Sequence, residues 1–136
     1  MYMSGCMILD CSDSPHTVNG KILADHVAAC MEEIPLMRQR LVQDPLQLGD
    51  LRLVEDPHFD VRDHVSRTSL KPPGGYAELT AALGTFSASR MELSRPLWHF
   101  EVIDGLEKGQ IAIAMRLHHA IHLATICQFF HCKLAQ

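Results

Sequence analysis

The chain has 136 residues, of which 47% are hydrophobic and 21% charged, with a formal net charge of -4. That is enough for one modest domain with its own core, in the composition of an ordinary globular protein. Lysine and arginine are scattered rather than clustered, which excludes the electrostatic footprint of a nucleic-acid binder. Cys6, Cys11, Cys30, Cys127 and Cys132 form an odd, irregularly spaced set. They read as reduced thiols in the cytoplasm rather than as a disulfide framework.

The opening Tyr2 to Leu9 is short and apolar and predicts a strand. Met1 to Asp10 lacks the basic region of a secretory signal, and Asp10 cuts the apolar run short. Asp10 to Asn19 is turn-rich. An amphipathic helix follows, from about Gly20 to Glu33. Ile22, Leu23, Val27, Met31 and Ile34 lie on one face, Asn19 is the N-cap, and Pro35 ends the helix by disfavouring helical geometry at Ile34. Arg38 to Val42 and Leu51 to Val54 predict two short strands around the Asp44-Pro45 and Gly49-Asp50 turns. Phe59 to Val65 predicts a weaker extended segment, and Lys71-Pro72-Pro73-Gly74-Gly75 is a break.

A second helix is expected from about Tyr76 to Arg90, buried along Tyr76, Leu79, Leu83 and Phe86, with Gly84 inside it and Pro96 closing the region. The clearest element is a hairpin. Leu97 to Ile103 alternates, with Trp98, Phe100 and Val102 on one side, and Asp104-Gly105 and Lys108-Gly109 bracket the turn. On the return strand, Gln110 to Leu117, Ile111, Ile113, Met115 and Leu117 share one face, and Ala112, Ala114 and Arg116 the other. The small alanines predict a closely packed second layer. Arg116 reads either as an outward strand charge, the favoured reading, or as a channel-lining cation. Alternation sends His118 with Arg116 and His119 with Leu117, so the two imidazoles are expected to point apart.

A histidine at a strand end is suited to take a proton from a substrate hydroxyl near neutral pH. His118, His122, Cys127, His131 and Cys132 also invite a zinc reading. There is no Cys-x-x-Cys, no acidic partner for a general base and no regular spacing, so no metal is expected; no cofactor is expected either. The apolar stretch Leu117 to Phe130 is interrupted by three histidines and is shorter than the ~20 residues of a membrane span.

Ser94-Arg95-Pro96-Leu97-Trp98, the strand ending in Val102-Ile103-Asp104-Gly105-Leu106 and the return strand into His118-His119-Ala120-Ile121 carry a resemblance. Upstream, the segments Ile34-Pro35-Leu36-Met37-Arg38-Gln39-Arg40-Leu41-Val42 and Asp56-Pro57-His58-Phe59-Asp60-Val61-Arg62-Asp63-His64-Val65 extend it. Together they resemble the bacterial wax ester synthase/acyl-CoA:diacylglycerol acyltransferase family. The Pro-Leu-Trp block and the upstream segments argue against a peptide-bond-forming condensation domain, which shares the His-His pattern.

The resemblance implies an α+β fold, part of the N-terminal lobe of a chloramphenicol-acetyltransferase-like protein, with a mixed sheet and flanking helices. It implies transfer of a fatty acyl group from acyl-CoA, as co-substrate, to diacylglycerol or a long-chain alcohol. In the family's His-His-x-x-x-Asp-Gly motif the second histidine is the general base, here His119, and the first, His118, helps shape the site. Pro96, Leu97 and Trp98 belong to a channel-supporting or structural motif, with Arg116 beside them. Peripheral contact with the inner membrane or lipid droplets is likewise implied.

The motif's Asp and Gly positions hold Leu123 and Ala124. From His122 onward the text no longer resembles the family. Residues 1–121 are therefore expected to be the N-terminal portion of the acyltransferase domain, and 122–136 a foreign tail from a frameshift, with the C-terminal lobe missing. The polypeptide taken alone is expected to be inactive and to be poorly soluble or dimeric. A non-catalytic remnant or interaction module is the alternative reading.

Overall fold

The computed structural model describes residues 2–16, 18–43, 45, 46, 49 and 51–119. Strand β1, Tyr2–Leu9, has the predicted bounds. Helix α1, Gly20–Glu32, starts where the Asn19 side chain accepts a hydrogen bond from the Ile22 N–H at 2.9 Å, and Pro35 opens a single 3-10 turn, Pro35–Arg38. The buried stripe of α1 is narrower than expected. Leu23, Val27 and Met31, spaced four apart, enter the core, whereas Ile22 is 49% exposed.

Strands β2 (Gln39–Gln43) and β3 (Leu51–Glu55) form a separate antiparallel ribbon. The extended segment predicted over Phe59 to Val65 is instead a bend followed by a later strand. The Asp56 carboxylate accepts from the His58 N–H, and that of Asp60 from the Arg62 N–H, each at 3.0 Å. These side-chain turns fold the backbone before it can pair. A 3-10 turn at Val61–Asp63 leads into β4, Val65–Ser69.

Helix α2, Tyr76–Ala88, ends two residues before the predicted limit and connects β4 to β5 (Trp98–Asp104), its parallel neighbour. A parallel pair needs such a crossover. Strand β6, Ile111–His118, returns antiparallel between β5 and β1, giving the mixed order β1-β6-β5-β4.

Each face of this sheet has its own cover. Leu23, Val27 and Met31 of α1 cluster with Trp98, Phe100, Val102, Ile111, Ile113 and Leu117. On the opposite face, Leu79 and Phe86 of α2 meet Ile103, Leu106, Ala112 and Ala114. The alanines thus receive the layer their size predicts. Tyr76 opens α2 at 82% exposure, outside this cluster, and is not part of the buried stripe.

Two close approaches fix the layers. At Gly20 an added Cβ would fall 2.0 Å from Asp104 Oδ2, and Asp104 is in turn held by Arg67 Nη2 at 2.7 Å. At Gly74, with φ +67°, an added Cβ would fall 2.0 Å from the Gly105 carbonyl oxygen. Only glycine lets the 71–75 break lie against the hairpin turn in that backbone conformation.

Candidate functional site

The edge of the sheet where β6 ends carries the two histidines. The His118 N–H donates to the Leu97 carbonyl at 2.9 Å, and His118 is the last residue of β6 paired with β1, opposite Tyr2. The Tyr2 ring meets the His118 imidazole edge-on, with centroids 5.3 Å apart. His119 follows in a turn and is exposed, whereas His118 is half-buried. Burial, then neighbouring positive charge including that of His119, lowers the His118 pKa and favours its neutral form.

The two imidazoles do not point apart. Their centroids lie 4.7 Å from one another, because strand alternation stops at His118 and the turn brings the His119 ring back beside it. The structure therefore places His118 and His119 together, one shielded and one presented to solvent.

Pro96, Leu97 and Trp98 are buried immediately beside this strand end. Trp98 is 1% exposed. Its Nε1–H donates to the Met37 carbonyl at 2.8 Å, and its ring stacks on the His64 imidazole at 4.8 Å. The His64 Nδ1–H in turn donates to the Trp98 carbonyl at 2.9 Å, which sets the tautomer of that ring.

Arg116 is neither an outward charge nor free to meet a ligand with its whole fork. It is 5% exposed, and its guanidinium donates to the carbonyls of Phe86 at 2.9 Å and Ser87 at 3.1 Å. It also donates to the Ser89 carbonyl, and to Ser89 Oγ at 2.9 Å. A cation at the carboxyl end of a helix satisfies the last carbonyls and the helix dipole together.

Between α2, β4 and β5 lies a cavity of about 390 Å³, lined among others by His64, Ser66, Phe86, Trp98, His99 and Arg116. Sequence reasoning missed Ser66, His99 and Glu101. The Ser66 hydroxyl lies 2.8 Å from His99 Nε2, and the Thr68 hydroxyl donates to Glu101 Oε1 at 2.7 Å. Alternation along β5 already puts His99 and Glu101 on the Arg116 side, the one signal that would have found them. Their partners on β4 come from a parallel register that no local pattern encodes.

Burial, reinforced by the charges of His64 and Arg116, pushes the His99 pKa down to about 4. The fold thus holds a neutral imidazole where the unfolded chain would protonate near 6.5. Stability from this group is fully present above pH ~6.5 and is lost as pH falls toward about 4. The half-exposed ring is screened, so the expected loss is about 1–2 kcal/mol. Urea midpoints measured at pH 7 and pH 4.5 should show it, and His99→Gln, which can still hydrogen-bond the Ser66 hydroxyl, should flatten the difference. An unchanged slope in that variant would refute the assignment to His99.

Among the described residues no group of three or more His, Cys, Asp or Glu is arranged to hold a metal ion. His122, Cys127, His131 and Cys132, like Leu123 and Ala124, lie outside the described residues. No helix among the described residues is long and apolar enough to cross a membrane.

The catalytic-domain model of the wax ester synthase/diacylglycerol acyltransferase family matches residues 1–122. The chain belongs to this family. A putative diacylglycerol O-acyltransferase of Mycobacterium tuberculosis is 40% identical over 87 residues, covering 64% of this chain and 18% of that protein. The probable diacylglycerol O-acyltransferase tgs3 of the same organism is 32% identical over 99 residues, 73% of this chain and 36% of its own length.

Among solved structures, the wax ester synthase/diacylglycerol acyltransferase from Marinobacter aquaeolei VT8 superposes with a TM-score of 0.75 at 27% identity. The match covers 89% of this chain and 30% of that one. The first condensation domain of the calcium-dependent antibiotic synthetase shares the fold at 12% identity and a TM-score of 0.66, covering 87% of this chain and 27% of that one. This family member therefore spans between 18% and 36% of the length of the curated relatives just described. Its α+β architecture with a mixed sheet is the one these acyltransferases and condensation domains share.

Proposed function

We propose that residues 1–121 form the base-bearing part of an O-acyltransferase that moves a fatty acyl group from acyl-CoA to diacylglycerol or a long-chain alcohol. The observation that carries this reading is the exposed His119 imidazole, held 4.7 Å from the half-buried His118 at the end of β6 in a member of this family. His119 takes the proton of the acceptor hydroxyl as that oxygen attacks the thioester carbonyl. The carbon–sulfur bond then breaks and the CoA thiolate leaves, accepting the proton back from His119. The products are triacylglycerol or wax ester and free CoA. His118 shapes the site, Pro96, Leu97 and Trp98 support it from behind, and no cofactor or metal takes part. The lipid acceptor brings the protein to the surface of the inner membrane or of a lipid droplet from the cytoplasm.

One observation favours a second reading for the 136-residue chain by itself. Leu123 and Ala124 stand where the family motif has Asp and Gly, and a leucine cannot accept the hydrogen bonds of a carboxylate. On that reading the chain is a non-catalytic remnant or interaction module, with residues 122–136 foreign to the domain.

Radiolabelled acyl-CoA, offered with diacylglycerol or with a long-chain alcohol, tests both. The chain alone is expected to leave the lipid acceptors unlabelled. Residues 1–121 fused to the remainder of the 40%-identical Mycobacterium tuberculosis relative, which supplies the rest of the domain, are expected to label triacylglycerol or wax ester. A folded fusion that labels neither acceptor defeats the acyltransferase reading and leaves the remnant.

A further inference from the structure

We infer that Arg116 is a positioning residue for the histidine pair: it locks the strand that delivers His118 and His119 to the carboxyl end of α2. This rests on the proposed role of His119 for its functional meaning, though not for its geometry. Arg116 stands two residues before His118 and three before His119, and backbone pairing of β6 stops at His118. It is thus the last buried side chain on the α2 side of the strand before the pair.

The sequence of α2 makes this lock necessary. Its last turn holds no basic residue, and Ser89 leaves the helix in an extended conformation (φ -66°, ψ 143°), so the helix does not close its own carbonyls with a left-handed cap. Arg116 closes them from another element, reaching the carbonyls of Phe86, Ser87 and Ser89 and the Ser89 hydroxyl, which itself donates to the Phe86 carbonyl at 2.8 Å. Its guanidinium carbon also lies 5.3 Å from the centre of the Phe86 ring. The Phe86 ring in turn lies 5.8 Å from the imidazole of His99, the residue opposite Arg116 in the β5–β6 register. Among the described residues no carboxylate pairs with Arg116, and its Nε is buried without a hydrogen-bond partner. The charge is answered by helix-end carbonyls, which is how a cap is built rather than an ion pair.

Only a flat fork with donors on two terminal nitrogens spans this set of acceptors. The ammonium of lysine keeps the charge and cannot reach them together. Without the lock, the end of α2 and the segment after it are no longer tied to β6, and the end of that strand, where the Tyr2 ring shields His118, is freer to fray. The difference between a shielded His118 and an exposed His119 should then shrink.

Diethyl pyrocarbonate, which carbethoxylates accessible imidazoles, reads this difference directly when the modified peptides of the full 136-residue chain are resolved by fragmentation mass spectrometry. In the wild-type chain His119 should react faster than His118, and buried His64 should stay protected as the control for folding. Arg116→Lys is expected to lower the His119-to-His118 rate ratio at least fivefold with His64 still protected. Ser89→Ala, which removes one bond to Arg116 together with the hydroxyl's own bond to the Phe86 carbonyl and keeps the other bonds of Arg116, is expected to lower it in part. If Arg116→Lys exposes His64, the variant has lost its fold and Ser89→Ala decides. A ratio unchanged in the folded variant overturns the inference. In the fused enzyme, Arg116→Lys should lower kcat and leave KM unchanged. A fusion with no activity would count against the acyltransferase reading, while the labelling ratio would still judge the lock.

Discussion

Replacing His119 with alanine in the fused enzyme is expected to lower the rate of acyl transfer by about 10²–10⁴-fold, the span a positioned general base contributes. The neutral hydroxyl of an alcohol is a poor nucleophile toward a thioester. Its attack becomes easier when its proton is removed in the same step. His119 is the imidazole presented to solvent, whereas His118 is half-buried against the Tyr2 ring. His118→Ala should therefore cost less, acting through the loss of the ring that lies beside His119. Acceptor KM should change little in His119→Ala, because the proton is transferred only as the transition state forms. Initial rates of labelled triacylglycerol formation, taken across diacylglycerol concentrations, separate the two parameters. If His119→Ala keeps the parent rate while His118→Ala abolishes it, the roles of the pair are reversed. If both variants keep it, the base is elsewhere.

Much of this arrangement is legible in local sequence pattern. Alternation placed Trp98, Phe100 and Val102 against α1 and the alanines of β6 against α2, since side-chain period and burial both act over a few residues. The Asn19 cap and the Pro35 stop are equally local. Where pattern failed, a contact between distant segments had decided the matter. Arg116 looks like a solvent charge until the end of α2 is known to lie over it, 30 residues away in sequence at Phe86. The Ser66–His99 contact spans 33 residues and depends on the parallel register of β4 with β5. The Phe59 to Val65 stretch has strand-like composition, and two aspartate side chains bend it before a partner strand can form. The orientation of His119 failed for a further reason. Alternation is a property of a strand, and the strand ends one residue earlier.

Trp98→Ala is expected to be the most damaging single substitution to the fold, removing about 3–5 kcal/mol of stability. Its side chain is among the largest fully buried in the described residues, at 1% exposure. Deletion leaves a void between α1 and the sheet that surrounding side chains fill only in part. The ring also joins segments far apart in sequence, which adds to the loss. It stacks on His64, meets the Phe100 ring edge-on at 5.8 Å and lies 6.3 Å from Phe59. Its N–H is bound to the Met37 carbonyl, and deletion leaves that buried acceptor without its donor, at a further cost of about 1–3 kcal/mol. A small domain has only about 5–15 kcal/mol in total, so the variant should sit near its unfolding transition at room temperature. Trp98→Phe keeps most of the apolar volume and loses the N–H, so it should cost clearly less than alanine. Urea unfolding of the three proteins, followed by far-ultraviolet circular dichroism, gives the order directly. An alanine variant within about 1 kcal/mol of the parent would mean that the Pro96-Leu97-Trp98 block does not support the strand end that bears the histidines.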